Sequence, residues 1–290
     1  MKRLLLTILV GGLGISPALA VDGQLADAVN RSVLRVCATP SNLPYSDEKG
    51  EGFENKIAQI IADELKVPLE YYYQPQGLGF IRMTLGAKKC DLVIGTAQAD
   101  EFTQNTNNYF KTTYALVYKP GKGLDGLTSL FDERLKDKVV GIQAGVPAAD
   151  QVAKAGLMVK ARPYRLQVDT RYDNPMQDMV KDIRAGEVDV GVLWGPYAGY
   201  YANRDGEKLT VVPLTKDVEG TTKLEYRITM GVRHNENAWK HTINNAIAKR
   251  QGDIDKVLLE YGVPLLDEQN QAITAPRQSA AAAPKEGAGN

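Results

Sequence analysis

Apolar residues along this chain follow two rhythms. Runs such as Leu34-Arg35-Val36-Cys37-Ala38 and Asp91-Leu92-Val93-Ile94 are nearly continuous, as expected of strands covered on both faces. Between them, Ile57, Ile60, Ile61 and Leu65 recur at the spacing of one helix face. The first half therefore predicts a strand over 33–39, stopped by Pro40 and Pro44, then a helix opening at 52–54. Glu54 falls in the first turn of that helix, where a negative charge suits the dipole. A strand over 69–73, a short helix over 79–87 and a buried strand over 91–95 complete a β-α-β-α-β order, which implies a parallel sheet. Tyr71, Tyr72 and Tyr73 alternate across their strand and read mostly as packing.

The pattern recurs in the second half. A strand over 139–142 turns at Gly145-Val146-Pro147 into a helix with proline near its start. A strand around Val159, a helix over 175–185, a strand over 187–193 and a helix over 196–202 follow. Residues 112–119 join the halves and 209–232 return. The chain ends in helix through Trp239, Ile243 and Ile247, then Ile254, Leu258 and Tyr261, with Asn235 as N-cap and Gly262 and Pro264 as the stop. Two α/β lobes joined by two extended crossings enclose a cleft. In open α/β sheets ligands sit at the carboxyl ends of the strands. The loops at 40–45, 96–98, 143–147 and 194–197 should line that cleft, with Asn42, Tyr45, Thr96, Gln98, Gln143, Gly145, Trp194 and Tyr197 as contact residues and Tyr172 beside them. The aromatic members offer apolar area with a polar handle, suited to a peptide or protein segment.

Both ends read differently from the middle. Lys2 and Arg3 precede a mostly apolar run over 4–15, Pro17 and Ala18-Leu19-Ala20, the pattern of a secretory signal peptide cleaved after Ala20. The expected destination is the periplasm, as a protein without membrane insertion. From about Asp267 the chain has almost no large apolar side chains and is expected to be a disordered tail. The expected divisions are thus a signal peptide at 1–20, a first lobe at 21–115, a second lobe at 116–215, a return crossing completing the first lobe at 216–266, and a tail at 267–290.

Composition narrows the chemistry. A chain of 290 residues suits two domains. Thirty-five basic and 35 acidic residues balance, so bulk charge makes no case for nucleic acid. Two cysteines and two histidines exclude a cysteine-rich scaffold or a multi-ligand Cys/His metal site. In an oxidising compartment Cys37 and Cys90 can form a disulfide within the first lobe; the alternative is two buried thiols on neighbouring strands. His234 and His241 read as surface histidines of the final helix. Asp91, Asp189 and Glu187 read as strand-edge acids. No G-x-S-x-G, H-E-x-x-H or P-loop motif is present, so no enzyme, cofactor or metal is expected.

Several segments, in order, resemble the type II periplasmic binding-protein fold of the polar amino-acid family: LRVCATPSNLPYS, EGFENKIAQIIADEL, KKCDLVIGT, KVVGIQAG and RAGEVDVGVLWGPYAGYY. The resemblance spans most of 30–265 and implies two doubly wound α/β lobes joined by a two-stranded hinge. That family places an arginine after the third strand for the substrate carboxylate, and an aspartate in the second lobe for the ammonium. Here Phe102 and Trp194 stand at those places. A zwitterion buried without partners would cost several kcal/mol, so an amino-acid ligand is not expected. With these changes, CATPSNLPYSDEKGEGFENKIA, GFIRMTLGAKKCDLVIG and PMQDMVKDIRAGEVDVGVLWGPYAGYYA are similar to the MxaJ/XoxJ-type proteins associated with methanol dehydrogenase. That resemblance implies a periplasmic accessory of a pyrroloquinoline quinone (PQQ)-dependent methanol dehydrogenase, monomeric when alone, carrying no PQQ or metal. The dehydrogenase is the implied partner and its cytochrome c a second candidate. The competing function is the solute-binding subunit of an ABC importer for a small molecule other than an amino acid.

Overall fold

The computed structural model describes residues 29–204, 206–216 and 222–279, and the expected signal peptide lies outside them. The first half forms β1 (Leu34–Ala38), the two-residue strands β2 (Ser41–Asn42) and β3 (Ser46–Asp47), α1 (Phe53–Leu65), β4 (Leu69–Tyr73), α2 (Phe80–Met83) and β5 (Leu92–Ala97). A 15-residue strand, β6 (Gln104–Tyr118), leads into the second half. There β7 (Val140–Gln143), α3 (Pro147–Lys154), β8 (Arg162–Tyr164), α4 (Pro175–Ala185), β9 (Val190–Trp194), α5 (Gly195–Ala202) and β10 (Thr210–Pro213) follow. The chain returns through β11 (Glu225–Val232) to α6 (Asn237–Glu260).

One nine-stranded sheet runs β4-β1-β5-β11-β6-β9-β7-β8, with β10 on the other side of β6. Strands β4, β1 and β5 are parallel, as are β8, β7 and β9. The junction is β6, which changes partner along its length. Thr113 still pairs with Glu225 of β11, whereas Tyr114 pairs with Trp194 of β9. The expected architecture of two α/β lobes is therefore present, built on one curled sheet with the crossing inside a single strand.

Local chemistry explains the elements. Helix α1 buries Phe53, Ile57, Ala58, Ile61 and Ala62 on one face, and Lys66 ends it in the left-handed region. In α4 the Asn174 side chain accepts from Gln177 N at 3.0 Å, Pro175 opens the first turn and Gly186 closes it at φ +82°. The first-lobe core packs Leu34, Phe53, Ile61, Phe110, Trp239 and Leu258 together. On the opposite face a smaller cluster surrounds the Cys37–Cys90 disulfide with Phe80, Leu85 and Val93. Tyr71 and Tyr73 stack at 5.1 Å on one face of β4, while Tyr72 turns to the disulfide cluster.

Four sequence expectations need correction. No strand surrounds Val159: residues 157–160 make a 3-10 turn with Val159 exposed, and the strand begins at Arg162. Asn235 does not cap α6; it is left-handed at φ +68°, and Glu236 precedes the helix. Helix α2 is only four residues long because Thr84 leaves helical geometry. The chain past Leu266 also does not leave the fold at Asp267. Leu266 bridges to Ala272, Ile273 packs on the first-lobe core, and Arg277 makes a bidentate pair with the buried Asp255 at 2.6 and 2.8 Å. A few specific anchors replace the apolar mass that the composition lacks. Residues 280–290 lie outside the described residues.

Helix α5 also closes onto the turn after α6, and here a glycine is decisive. A Cβ on Gly199 would lie 1.7 Å from the Gly262 carbonyl oxygen. Helix propensity alone makes Gly199→Ala stabilising by about 1 kcal/mol. Backbone against backbone has no cheap relief, so the substitution is expected to destabilise by about 1–3 kcal/mol in urea unfolding. A more stable variant would show that the two segments do not meet.

Candidate functional site

A cavity of about 670 Å³ opens between the lobes, mainly against the first. Its lining combines the ends of β1 and β5, the loop carrying Asn42 and Tyr45, the segment from Gln76 to Arg82, and Tyr197 of α5. The lobes meet at its back. Tyr197 donates to Asn42 Oδ1 at 3.0 Å, Tyr201 donates to the Leu43 carbonyl at 2.8 Å, and Ser41 donates to the Thr170 carbonyl at 3.2 Å.

Tyr45 is the centre of an aromatic group, 4.9 Å from Phe53 and 5.2 Å from Tyr197 between ring centroids. Burial holds its hydroxyl well above the ordinary tyrosine range, and a hydrogen bond from Trp194 partly opposes this. Thr96 is buried against β11 and shares a hydroxyl contact of 3.0 Å with Thr229. Asn42, Tyr45, Thr96 and Tyr197 thus meet in one cavity.

The other candidate residues lie elsewhere. Trp194 is not on the lining and packs against Tyr114 at 5.1 Å and Tyr226 at 5.5 Å. Gln98 is exposed past the end of β5, and its N–H donates to the Arg227 carbonyl. Gln143 donates to the Arg165 carbonyl at 3.1 Å. Gly145 makes the strand-to-helix turn at φ +78°. Tyr172 is 80 % exposed beneath the Arg171 guanidinium. His234 lies 3.1 Å from the Glu101 carbonyl, and His241 is exposed on α6. Among the described residues no group of three or more His, Cys, Asp or Glu is arranged for a metal ion.

The lining also holds residues that were not expected as contacts. Leu78 and Phe102 are 82 % and 65 % exposed and form an apolar rim. Arg82 places an exposed guanidinium on the lining. Glu54, expected to serve the helix dipole, points its carboxyl into the cavity beside Gly95, where a Cβ would overlap Oε1 at 2.1 Å. Enclosure by protein pushes the Glu54 carboxyl up to about 8. The glycine ending the VIG run was the available signal, since it leaves room for a side chain from α1.

The disulfide is present, with Cα atoms 5.5 Å apart. Cys37 lines the cavity and Cys90 lies just before β5, so the bridge ties α2 and its flanking loop to the cavity floor.

The sequence matches the bacterial extracellular solute-binding proteins, family 3, over residues 34–263. The crystal structure of periplasmic binding protein XoxJ from Methylobacterium extorquens AM1 is 42 % identical with a TM-score of 0.69, covering 81 % of this chain and all of that one. MxaJ from Methlophaga aminisulfidivorans is 26 % identical with a TM-score of 0.70, over 80 % of this chain and all of that one. Protein MoxJ of Paracoccus denitrificans is 25 % identical over 269 residues, 89 % of this chain and 96 % of its own. With the two lobes, the interlobe cavity and these likenesses together, the chain belongs to the bacterial extracellular solute-binding proteins of family 3, and XoxJ and MxaJ are among the proteins it is similar to.

Proposed function

We propose that this protein is a periplasmic accessory of a PQQ-dependent methanol dehydrogenase, and that a segment of the dehydrogenase docks in the interlobe cavity. Likeness to XoxJ over the whole of that chain supports a role in a methanol-oxidation system. The observation that carries the docking reading is Phe102. It stands exposed at the cavity rim, where the amino-acid family carries its arginine, and Leu78 stands exposed on the same lining. An exposed aromatic beside a cavity is what a protein–protein contact uses as an anchor. The role is one of binding, not catalysis.

Purified wild-type protein should bind the periplasmic quinoprotein dehydrogenase in calorimetry and change its alcohol-oxidising activity or maturation. Phe102→Ala should weaken the association by about 2 kcal/mol, as for a hot-spot aromatic. Because Phe102 is exposed, the variant should fold normally. His241→Ala is the matched control, since His241 lies on α6 away from the lining. A wild-type protein that neither binds nor affects the enzyme would remove the accessory reading. The size of the cavity favours a second reading, capture of a small solute for an ABC importer, since small-molecule sites commonly span 300–1,000 Å³. In that case a permease complex, rather than the dehydrogenase, should be the partner.

A further inference from the structure

Among the described residues the Glu54 carboxyl has no hydrogen-bond or ion-pair partner, although it is half-buried on the cavity lining. Glu64 of the same helix pairs with Lys249 at 3.3 Å, but the Glu54 carboxyl makes no internal contact that stabilises the fold. It detracts from it. With a folded value near 8 against an ordinary 4.5, the native state binds the extra proton. Stability is therefore lost as pH rises from about 4.5 to 8, with no internal contact in return. A group kept at such a cost is placed for something that enters from outside.

The surroundings specify what enters. The rings of Tyr45, Phe80, Phe102 and Tyr197 line the same cavity, and faces of such rings attract cations. Asp100 adds a second carboxyl to the lining. The one basic lining residue among those described is Arg82, which is exposed rather than enclosed with Glu54. An anion meeting Glu54 would be repelled. A cation with N–H donors would restore the carboxylate and make the charge-assisted bond it lacks.

We propose that Glu54 is the recognition group for a primary ammonium that enters the cavity between aromatic rings, carried either by a small free amine or by a lysine side chain of a docked protein segment. Glu54 lies on α1 and stands at neither of the charged positions of the amino-acid family, and no partner for an α-carboxylate is needed. The inference rests on the docking reading only in its lysine form.

Calorimetry on the full chain alone tests it, using butylammonium chloride and Nα-acetyl-lysine amide as probes. Their neutral and anionic counterparts, 1-butanol, Nα-acetyl-norleucine amide and butyrate, serve as comparisons. At least one amine should bind at least tenfold more tightly than its neutral counterpart. Glu54→Gln should lose at least tenfold in amine affinity without a lower melting temperature, because it removes an uncompensated carboxyl. Binding at pH 7 should also release a proton, seen as a different heat in phosphate and imidazole buffers, as Glu54 ionises. The tyrosines facing it, Tyr45, Tyr71, Tyr109 and Tyr197, are all held above their ordinary range by burial and stay neutral; Arg82 and Asp100 complete the charged lining. Binding of both amines points to a free amine, and binding of the lysine derivative alone points to a protein segment. No amine binding, or equal binding by Glu54→Gln, overturns the proposal. Since no dehydrogenase is present, that failure stays separate from failure of the accessory role.

Discussion

Replacing Cys37 and Cys90 together by alanine is expected to lower unfolding stability by about 4 kcal/mol, from the loop-closure entropy the bridge removes from the unfolded chain. The bridge closes a separation of 53 residues, all within the first lobe. The unfolded chain would gain freedom, and the native cluster of Phe80, Leu85 and Val93 would lose the sulfur atoms it packs on. Denaturant titration should show a lower midpoint, and the cavity floor around α2 should loosen with it. The hinge at Thr113–Tyr114 carries no part of this constraint, so the second lobe should keep its own core. Thiol titration of wild-type protein in denaturant without reductant should find no free thiol. Two free thiols per chain, or a double variant as stable as wild type, would show that the cysteines do not staple the lobe.

Asp91→Ala should cost about 3–5 kcal/mol, the range for breaking a buried ion pair from one side. Asp91 is fully buried just before β5. Arg35 holds it bidentately at 2.7 and 2.8 Å, and Arg233 reaches it at 2.6 Å. Its backbone carbonyl accepts from the Trp239 indole at 2.8 Å, which ties α6 to the sheet. Removing the carboxylate leaves the Arg233 guanidinium buried beside Glu236 and the Cys90 carbonyl, with one anion fewer. Arg35 is partly exposed and can rehydrate, so most of the penalty should come from Arg233. Arg35→Ala should accordingly cost less than Asp91→Ala in the same urea experiment. Equal losses would mean that the three charges do not act as described.

Asp91 also shows where sequence reading stops. As a lone acid before a strand it read as a strand-edge acid. Its partners come from 56 and 142 residues away, a distance that no local pattern reports. The same holds for the tail. Poor in apolar residues, it reads as disorder, but Ile273 on the core and Arg277 meeting the buried Asp255 from 22 residues away keep it on the fold. Asn42, Tyr45, Thr96 and Tyr197 were legible as cavity residues because strand ends and the loops after them follow from topology. Glu54 was not, because it comes from the helix side and enters through the space at Gly95.

The sequence by itself determined most of the element order, the two α/β lobes and a crossing near residues 112–119, and it pointed to Asn42, Tyr45, Thr96 and Tyr197 on the cavity. Those depend on hydrophobic period and on proline and glycine punctuation, which act over a few residues. Only the tertiary structure decided that the cysteines are bonded, that Gly199 must lack a side chain, that Trp194 packs on Tyr114 rather than lining the cavity, and that Glu54, Arg82 and Asp100 supply its charge. Each of these depends on atoms brought within a few ångströms from distant parts of the chain, where close packing and desolvation set the energy, and periodicity carries no record of that.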